Sequence, residues 1–327
     1  MDQNHPIFGV LLLFAVVIFL FRSYLRTRPS HLLPIAGKVG LVIITLSEVL
    51  LYLQAHWVTI YFTPLVWTGY ILLMDSLVFT IRGASLLQTR PRKFLTLAFW
   101  SVPFWLIFEA YNLRLKNWAY VGLPHSWLLS DLGYVWSFAT IWPAIFETAD
   151  FLSVAGLFQK KAPRRRPTHQ TTMAFYIVIG AVCLILPVAI PPRLGAYLFG
   201  LVWIGFVLLL DPLNYLLRGR SLLREWESGD VQWLYSFLAS GLICGVLWEF
   251  WNYWAHARWV YVFPILQNWK IFAMPAPGFF GFPPFALECF VMVEFLATIH
   301  RRFLSPSKKS TAVEADGNSR RRGNANS

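Results

Sequence analysis

Charged side chains are scarce in this chain. Only 13% of its 327 residues are Asp, Glu, Lys or Arg, whereas 57% are hydrophobic. A soluble domain normally carries about a quarter charged residues, so this composition excludes an ordinary soluble protein and predicts a membrane protein with several spans. The formal net charge of +12 comes from short basic clusters between apolar runs. Such clusters are typical of cytoplasmic loops, which makes a nucleic-acid-binding surface the weaker interpretation.

Cysteine is sparse and the familiar catalytic motifs are missing. Cys183, Cys244 and Cys289 lie within apolar runs without a C-x-x-C pair, which supports neither a disulfide framework nor a zinc site. The sequence has no phosphate-binding Gly-Lys-Ser/Thr loop, no H-E-x-x-H, no nucleophile elbow and no aspartate-rich diphosphate motif. His256 follows two polar residues on one helix face, but Lys116 stands in the corresponding region of the first half. We therefore predict no metal and no other cofactor.

Long apolar runs dominate instead, each close to the ~20 residues that cross a bilayer. The predicted spans are residues 7–21, 39–56, 59–81, 94–112, 133–157, 172–190, 195–217, 233–254 and 280–299. The predicted fold is therefore an all-α, polytopic membrane bundle of about nine helices. The first run has its arginines after the apolar core and no small-residue cleavage site, which favours an uncleaved span over a signal peptide.

Basic clusters predict the orientation. They fall at alternate ends of the spans, at residues 82–93, 160–166, 218–224 and 301–302. All of them are cytoplasmic if the N-terminus lies outside, which also places the C-terminus in the cytoplasm. We expect a bacterial inner membrane, and a disordered cytoplasmic tail over residues 304–327 because that segment is polar, small and basic.

Internal self-similarity is the strongest structural signal. Trp67 and Asp75 match Trp203 and Asp211 at a shift of 136 (203 − 67 and 211 − 75), and Arg82-Gly-Ala-Ser-Leu-Leu matches Arg218-Gly-Arg-Ser-Leu-Leu at the same shift. Later matches drift to shifts of 140 and 141. After an N-terminal anchor (residues 1–30), the pattern predicts two four-helix repeats, at 37–160 and 170–303. An even number of spans gives both copies the same orientation, so this is a parallel repeat.

Polar residues recur inside the apolar runs. Glu249 and Asn252 share one helix face, as do Glu109 and Asn112 in the first half, because residues three apart are neighbours on a helix. Glu147 and Glu288 lie nearer mid-span. A charged residue costs at least ~2.5 kcal/mol at the centre of a membrane helix, so these acids are candidates for function. The structural alternative is that each Glu/Asn pair joins helices by hydrogen bonds. The functional alternative has all six side chains meet at one cavity, where burial keeps a carboxyl neutral and able to act as an acid.

Aromatic residues and prolines surround these acids. Trp118-Ala-Tyr120 and Trp259-Val-Tyr261 follow the two Glu/Asn helices, either as an interfacial belt or as a cavity wall that stabilises cations. The Gly/Pro-rich stretch 274–284 breaks regular structure before the last span and places Glu288 about one turn inside it. Asp75 and Asp211 each stand seven residues before an arginine, which favours pairing or capping. The predicted substrate contacts are Asn112, Asn252, Trp248, Trp259, Tyr261 and Phe285.

The second half resembles the integral-membrane lycopene cyclase domain of carotenoid biosynthesis. Trp248-Glu249, the stretch from Trp259 to Pro264 and the stretch from Pro284 to Glu288 carry the resemblance, and residues 100–155 form a weaker copy. The resemblance implies cyclisation of a linear polyene by protonation, without redox chemistry or a metal. This chain departs from that family in having a single acid where the family has Pro-x-Glu-Glu, and about four spans per copy instead of three.

Two functions follow from these patterns. The first is a membrane enzyme, an isomerase or lyase in type, which acts on an isoprenoid or other lipid with Glu249, Glu288, Glu109 and Glu147 as candidate catalytic residues. The second is a transporter built from two repeats, in which the same acids carry protons or bind a substrate amine. In a third, non-catalytic interpretation the polar pairs only hold the bundle together.

Overall fold

The computed structural model describes residues 5–304, and the predicted tail beyond residue 304 lies outside that range. Most of the described chain is helical, as predicted. The helices are α1 (Pro6–Leu25), α2 (Ile35–Tyr52), α3 (His56–Arg82), α4 (Leu86–Thr89), α5 (Pro91–Leu115), α6 (Trp127–Val154), α7 (Gln170–Ala189), α8 (Pro192–Gly195), α9 (Gly200–Leu216), α10 (Leu222–Ser228), α11 (Gln232–Trp254) and α12 (Phe282–Ile299). Four short strands were not predicted: β1 (Trp118–Val121), β2 (Arg258–Tyr261), β3 (Lys270–Ile271) and β4 (Met274–Pro275).

Seven helices within residues 5–304 are long and apolar enough to cross a membrane, and an eighth is counted if one bent pair is a single span. The protein is therefore a helical membrane protein. The predicted span over 195–217 is bent, because Pro192–Leu198 and Gly200–Leu216 meet at an angle of 63°. The short first piece is held at Gly195, where an added Cβ would lie 2.2 Å from the Pro187 carbonyl oxygen.

Neighbouring helices pack in the same order in both halves of the chain. In the first half, α3 packs against α2 and α6, and α5 packs against α6. In the second half, α9 packs against α7 and α12, and α11 packs against α12. Across the halves, α6 packs against α11, and one apolar core runs through both. These are the contacts expected of two copies of one four-helix unit.

Glycines bring the first two helices of each unit into close contact. A Cβ added to Gly40 on α2 would lie 2.5 Å from the carbonyl oxygen of Gly69 on α3. A Cβ added to Gly180 on α7 would likewise lie 2.8 Å from the carbonyl oxygen of Gly205 on α9. Small residues let membrane helices approach this closely. Gly69 and Gly205 stand two residues after the matched Trp67 and Trp203, so these recurring positions have a packing role.

Two buried aspartates cap the short helices at the end of the bundle where the basic clusters lie, which confirms the predicted capping. The bonds run from the backbone N–H of Leu87 to Asp75 (2.6 Å), and from those of Leu222 and Leu223 to Asp211 (2.6 Å and 2.9 Å). A carboxylate satisfies N–H groups that have no partner within the helix. Arg82 does not pair with Asp75. Its guanidinium binds Asp150 on α6 through two hydrogen bonds of 2.8 Å and 2.6 Å.

The opposite end of the bundle carries β1 to β4 and the start of α1. The backbone N–H of His5 donates to the carbonyl of Lys270 (2.9 Å), so the beginning of α1 lies beside the loop between α11 and α12. The last span begins as predicted: a 3₁₀ turn over Ala276–Gly281 leads into α12, which has Pro in its first turn. We call this the outer end of the bundle, and the capped end the inner end.

Glu227 joins the loop after α6 to α10 at the inner end. One carboxylate oxygen accepts from the Thr168 N–H (2.5 Å) and the other from the Tyr215 hydroxyl (2.9 Å). Burial acts to raise the pKa of Glu227, but the Thr168 and Tyr215 hydrogen bonds and the charge of Arg224 more than offset it, so the pKa lies below its ordinary value. A lowered pKa stabilises the fold above the ordinary value, and the contribution is lost as pH falls through the lowered one.

We therefore expect Glu227→Gln to lower the thermal unfolding temperature at neutral pH and to speed tryptic cleavage between residues 160 and 166. The difference from the wild type should vanish at acid pH, where Glu227 itself is protonated. The measurement is thermal unfolding in detergent as a function of pH. Asp230→Asn, at an exposed neighbour, is the control. An equal deficit for Glu227→Gln at neutral and acid pH would contradict the assigned role.

Candidate functional site

The strands β1 and β2 form an antiparallel ladder that joins the two halves at the outer end. Trp118 pairs with Tyr261, and Tyr120 pairs with Trp259. Successive side chains alternate across a strand, so these four rings lie on the same face of the ladder. Trp118 and Tyr120 are the counterparts of Trp259 and Tyr261 at a shift of 141 (259 − 118 and 261 − 120). Each strand therefore pairs with its own copy.

The two predicted Asn residues hold these strands against the preceding helices. Asn252 donates to the carbonyl of Trp259 (2.9 Å) and accepts from its N–H (3.0 Å). Asn112 makes the same two bonds with Trp118, at 2.9 Å and 3.1 Å, and also accepts from the N–H of Asn117 (2.8 Å). These bonds give both amides a structural role, and neither residue lines the pocket described below. Their predicted contact with substrate stays a prediction.

We expect Asn252→Ala to destabilise the protein by about 1–3 kcal/mol, because it leaves buried backbone groups of Trp259 without a partner. Asn252 itself is fully buried. Thermal unfolding in detergent should show a lower midpoint, whereas Asn268→Ala, in an exposed loop position, should leave it unchanged. Equal midpoints for the two variants would show that the strand is held by other contacts.

Glu109 receives three hydrogen bonds on one carboxylate oxygen. The donors are the Tyr120 hydroxyl (2.6 Å), the Trp105 indole N–H (2.9 Å) and the Trp118 indole N–H (3.2 Å). Trp105 stands four residues before the glutamate on α5, so helix geometry brings the two side chains together. Trp118 and Tyr120 reach it from β1. The strand thus delivers two of the three donors.

Glu249 has a simpler arrangement. Its Oε1 accepts from the Tyr261 hydroxyl (2.6 Å), and the Trp259 indole N–H donates to that hydroxyl (2.8 Å). Its Oε2 is buried and has no hydrogen-bond partner within residues 5–304. Glu249 is fully buried, whereas Glu109 is half-buried. The two copies therefore share the Glu–Tyr–Trp arrangement but differ in donors and burial.

Both tyrosine hydroxyls stay protonated at any ordinary pH. Burial, followed by the neighbouring Glu109 carboxyl, raises the pKa of Tyr120 well above its usual value. Burial, followed by Glu249, does the same to the pKa of Tyr261. Each hydroxyl is therefore a hydrogen-bond donor to its glutamate, and each can pass a proton only by receiving another in exchange.

An apolar pocket lies beneath the ladder, with an unfilled volume of about 1210 Å³ that includes its open mouth. Its lining comes from the outer halves of the helices and from both strands. Aromatic residues dominate the wall: Tyr61, Trp67, Trp105, Phe108, Trp118, Tyr120, Tyr134, Phe138, Phe199, Trp203, Trp248, Trp259, Tyr261, Phe282 and Phe285. Binding sites for small molecules are mostly apolar with a few polar groups. The Tyr120 and Tyr261 hydroxyls supply such groups here.

Searches of protein-family profiles, curated proteins and solved structures find no match to this chain. What the pocket does must therefore be argued from its own geometry.

The pocket contains part of the predicted site. Trp248, Trp259, Tyr261 and Phe285 line it, as expected of substrate contacts. Both Trp-x-Tyr stretches contribute to the pocket wall, which is where the cavity-wall alternative expected them. Glu109 and Glu249 do not line the pocket themselves. They lie directly behind it, each joined to a lining tyrosine.

Glu147 and Glu288 do not join the other acids at the pocket. Both are buried, neither lines it, and no oxygen of either carboxyl has a hydrogen-bond partner within residues 5–304. The six polar side chains therefore do not all meet at one cavity, as the functional alternative expected. Glu288 follows the lining residue Phe285 by one turn of α12, so the helix directs it to a neighbouring part of the core.

Sequence reasoning missed several residues of the site. Trp105 supplies a further donor to Glu109, and Trp67, Trp203 and Phe282 belong to the pocket wall. Trp67 and Trp203 were visible as repeated positions, and that recurrence was the available signal. Trp105 was not, because the equivalent position in the second half is Gly245 (245 − 105 = 140).

Within residues 5–304 no cluster of three or more His, Cys, Asp or Glu side chains is suitably placed to hold a metal.

Proposed function

We propose that this protein is a membrane enzyme that binds an isoprenoid or similar lipid in the aromatic pocket and converts it by acid catalysis. One observation supports this most directly: two lining tyrosine hydroxyls, on Tyr120 and Tyr261, are each hydrogen bonded at 2.6 Å to an intramembrane glutamate. The acids are thus connected to the pocket through a group that can exchange protons.

The pocket wall supports an unsaturated hydrocarbon as substrate. Its lining is mostly aromatic and apolar, although Arg258 on β2 also borders the space. The rings of Trp67 and Trp105 lie close to that of Trp248, at centroid distances of 5.3 Å and 6.4 Å. The face of an aromatic ring attracts a cation within about 6 Å of its centroid. Such a wall binds a polyene by contact and stabilises a carbocation that forms from it.

The proposed reaction is like the one that similarity to the lycopene cyclase domain implies, the cyclisation of a linear polyene by protonation. A proton adds to one carbon of a double bond and leaves a cation on the other carbon. A neighbouring double bond of the same chain then supplies its electron pair, which closes a ring and moves the cation. Loss of a proton from the adjacent carbon restores a double bond, so product and substrate have the same mass.

We infer that the bundle consists of two like-oriented four-helix units related by an axis along the membrane normal, with α6 as a further span to give about nine. The repeated helix order and the repeated caps support this. So does the ladder, in which Ala119 pairs with its own counterpart Val260. Basic residues gather at the inner end, which supports a cytoplasmic inner end, an external N-terminus and a bacterial inner membrane as the location.

Product analysis in a host that makes acyclic isoprenoids tests this function. We expect the wild type to yield a product of unchanged mass and altered chromatographic retention, and Glu249→Gln to abolish it. Glu288→Gln tests the second predicted acid in the same assay. Val135→Leu, on the exposed face of α6, is the control for expression and membrane insertion. The proposal fails if extracts from the wild type and both glutamate variants are identical.

The transporter alternative makes a different prediction. All the residues that line the pocket lie in the outer half of the bundle, and the core beneath them is packed, which supports a site reached from one side. A carrier must open to both sides, so proton-linked uptake into vesicles that is lost in Glu249→Gln would favour the transporter instead.

A further inference from the structure

The two Glu–Tyr–Trp arrangements differ first at the position four residues before each glutamate. In the first half this is Trp105, whose indole N–H donates to Glu109 at 2.9 Å. In the second half it is Gly245, which has no side chain. The ring of Phe282 lies against Gly245, where an added Cβ would come within 2.2 Å of it. No donor can reach Glu249 from that position.

The strand tryptophans differ as well, because the Trp118 indole donates to Glu109 itself, whereas the Trp259 indole donates to the Tyr261 hydroxyl. Glu109 accepts three hydrogen bonds, from Trp105, Trp118 and Tyr120. Glu249 accepts one, from Tyr261, and its other oxygen is buried without a partner in the described chain. The glutamates differ in solvent contact too, because Glu249 is fully buried and Glu109 is only half-buried.

These differences act in the same direction on the protonation states. Hydrogen bonds donated to a carboxylate favour its charged form, and burial in apolar surroundings disfavours it. Glu109 accepts more hydrogen bonds and is partly in contact with solvent, whereas Glu249 accepts fewer hydrogen bonds and has no contact with solvent. When two titratable groups have environments that separate them in this way, one is suited to be the acid and the other the base.

We propose that the duplicated site has become asymmetric, with Glu249 protonated in the resting protein as the proton donor and Glu109 ionised as the proton acceptor. Their roles in catalysis rest on the proposed function, whereas their protonation states do not. The substitution that separates the copies is tryptophan at position 105 against glycine at position 245.

The proton balance of the proposed reaction follows. For the transfer the Tyr261 O–H turns from Glu249 to the substrate. Its oxygen then accepts the carboxyl hydrogen of Glu249 while its own hydrogen passes to a double-bond carbon of the substrate. After ring closure a C–H bond beside the cation breaks, and its electron pair forms the new double bond. That proton passes through the Tyr120 hydroxyl to the Glu109 carboxylate. Return of one proton from Glu109 to Glu249 restores the starting state, so no other reactant is consumed.

Infrared spectroscopy of the purified full-length protein at neutral pH tests the assignment without substrate. A protonated carboxyl and a carboxylate absorb at different frequencies. We expect the protonated-carboxyl band of Glu249→Gln to be weaker than that of the wild type by the intensity of one carboxyl group. Glu109→Gln should leave that band unchanged and remove carboxylate absorption instead. The opposite pattern, or the same change in both variants, would overturn the proposal.

Two tyrosine variants keep the test decisive if a glutamate variant does not fold. Tyr261→Phe removes the hydrogen bond to Glu249, so the protonated-carboxyl band should shift in frequency. Tyr120→Phe should leave that band in place and shift carboxylate absorption. A shift of the protonated band in Tyr120→Phe alone would show that the roles are reversed. Glu147 and Glu288 are unchanged in all these proteins, so their absorption cancels in the difference spectra.

Trp105→Phe tests the cause of the asymmetry. It keeps an aromatic ring but removes the indole donor to Glu109. We expect the protonated-carboxyl absorption of this variant to be stronger than that of the wild type at the same pH. No change in the spectrum would remove Trp105 from the explanation. If all spectra agree with the assignment but no conversion of any isoprenoid is found, the proposed function falls and the asymmetry stands.

Discussion

Tyr261→Phe should lower the rate of conversion in the pocket by about 10²–10⁴-fold, the usual contribution of a general acid or base. The hydroxyl is the only atom of the side chain that the substitution removes, and it connects the buried Glu249 to the pocket. The ring remains and continues to pair with the ladder. The measurement is the first-order rate with the protein in vesicles, together with substrate affinity, which should change little.

The control for this prediction is Tyr235→Phe, because Tyr235 is an exposed tyrosine on the same helix as Glu249. It should convert substrate at the wild-type rate. If Tyr261→Phe also turns over at the wild-type rate, Glu249 does not act through this hydroxyl. A loss of affinity with an unchanged rate would instead make Tyr261 a binding group.

Ser137→Trp should abolish substrate binding by filling the pocket. Ser137 lines the pocket from α6, and an indole in place of its hydroxymethyl group adds a large apolar ring to the cavity. Because the ring enters space that is already unfilled, the fold should lose little stability. The measurement is quenching of the pocket tryptophans by an added polyene, which should fall to background.

Val135→Trp provides the matched control for Ser137→Trp. Val135 lies two residues earlier on α6 and is 53% exposed on its outer face, so the same ring is added outside the pocket. Binding should persist in this variant. Undiminished binding in Ser137→Trp, with thermal unfolding like that of the wild type, would show that the ligand occupies some other surface.

Several features could be predicted from the sequence because they depend on neighbours along the chain. The spacing of Glu249 and Asn252 gives a shared helix face whatever else the bundle does. The recurrence of Asp75 at Asp211, next to a Ser-Leu-Leu stretch, predicts a capped short helix twice over. The prolines before Glu288 predict a helix start, because proline fits the first turn, where its missing N–H costs nothing.

The predicted site failed where it depended on which helices are neighbours. Helical periodicity tells which residues share a face but not what that face contacts. Glu147 and Glu249 looked alike in the sequence, yet only Glu249 meets a tyrosine of the pocket wall. The bend between α8 and α9 could not be predicted either. Both pieces are apolar, and a continuous apolar run does not show where a helix changes direction.

The sequence by itself determined that the chain spans a membrane and that each half contains a Glu/Asn pair followed by Trp-x-Tyr. Only the tertiary structure decided that the two Trp-x-Tyr segments pair as strands, since their partners stand 141 positions apart (259 − 118). That pairing is made by backbone hydrogen bonds, which any sequence can form and which leave no mark on side-chain pattern. It is the pairing that places both tyrosines over one pocket.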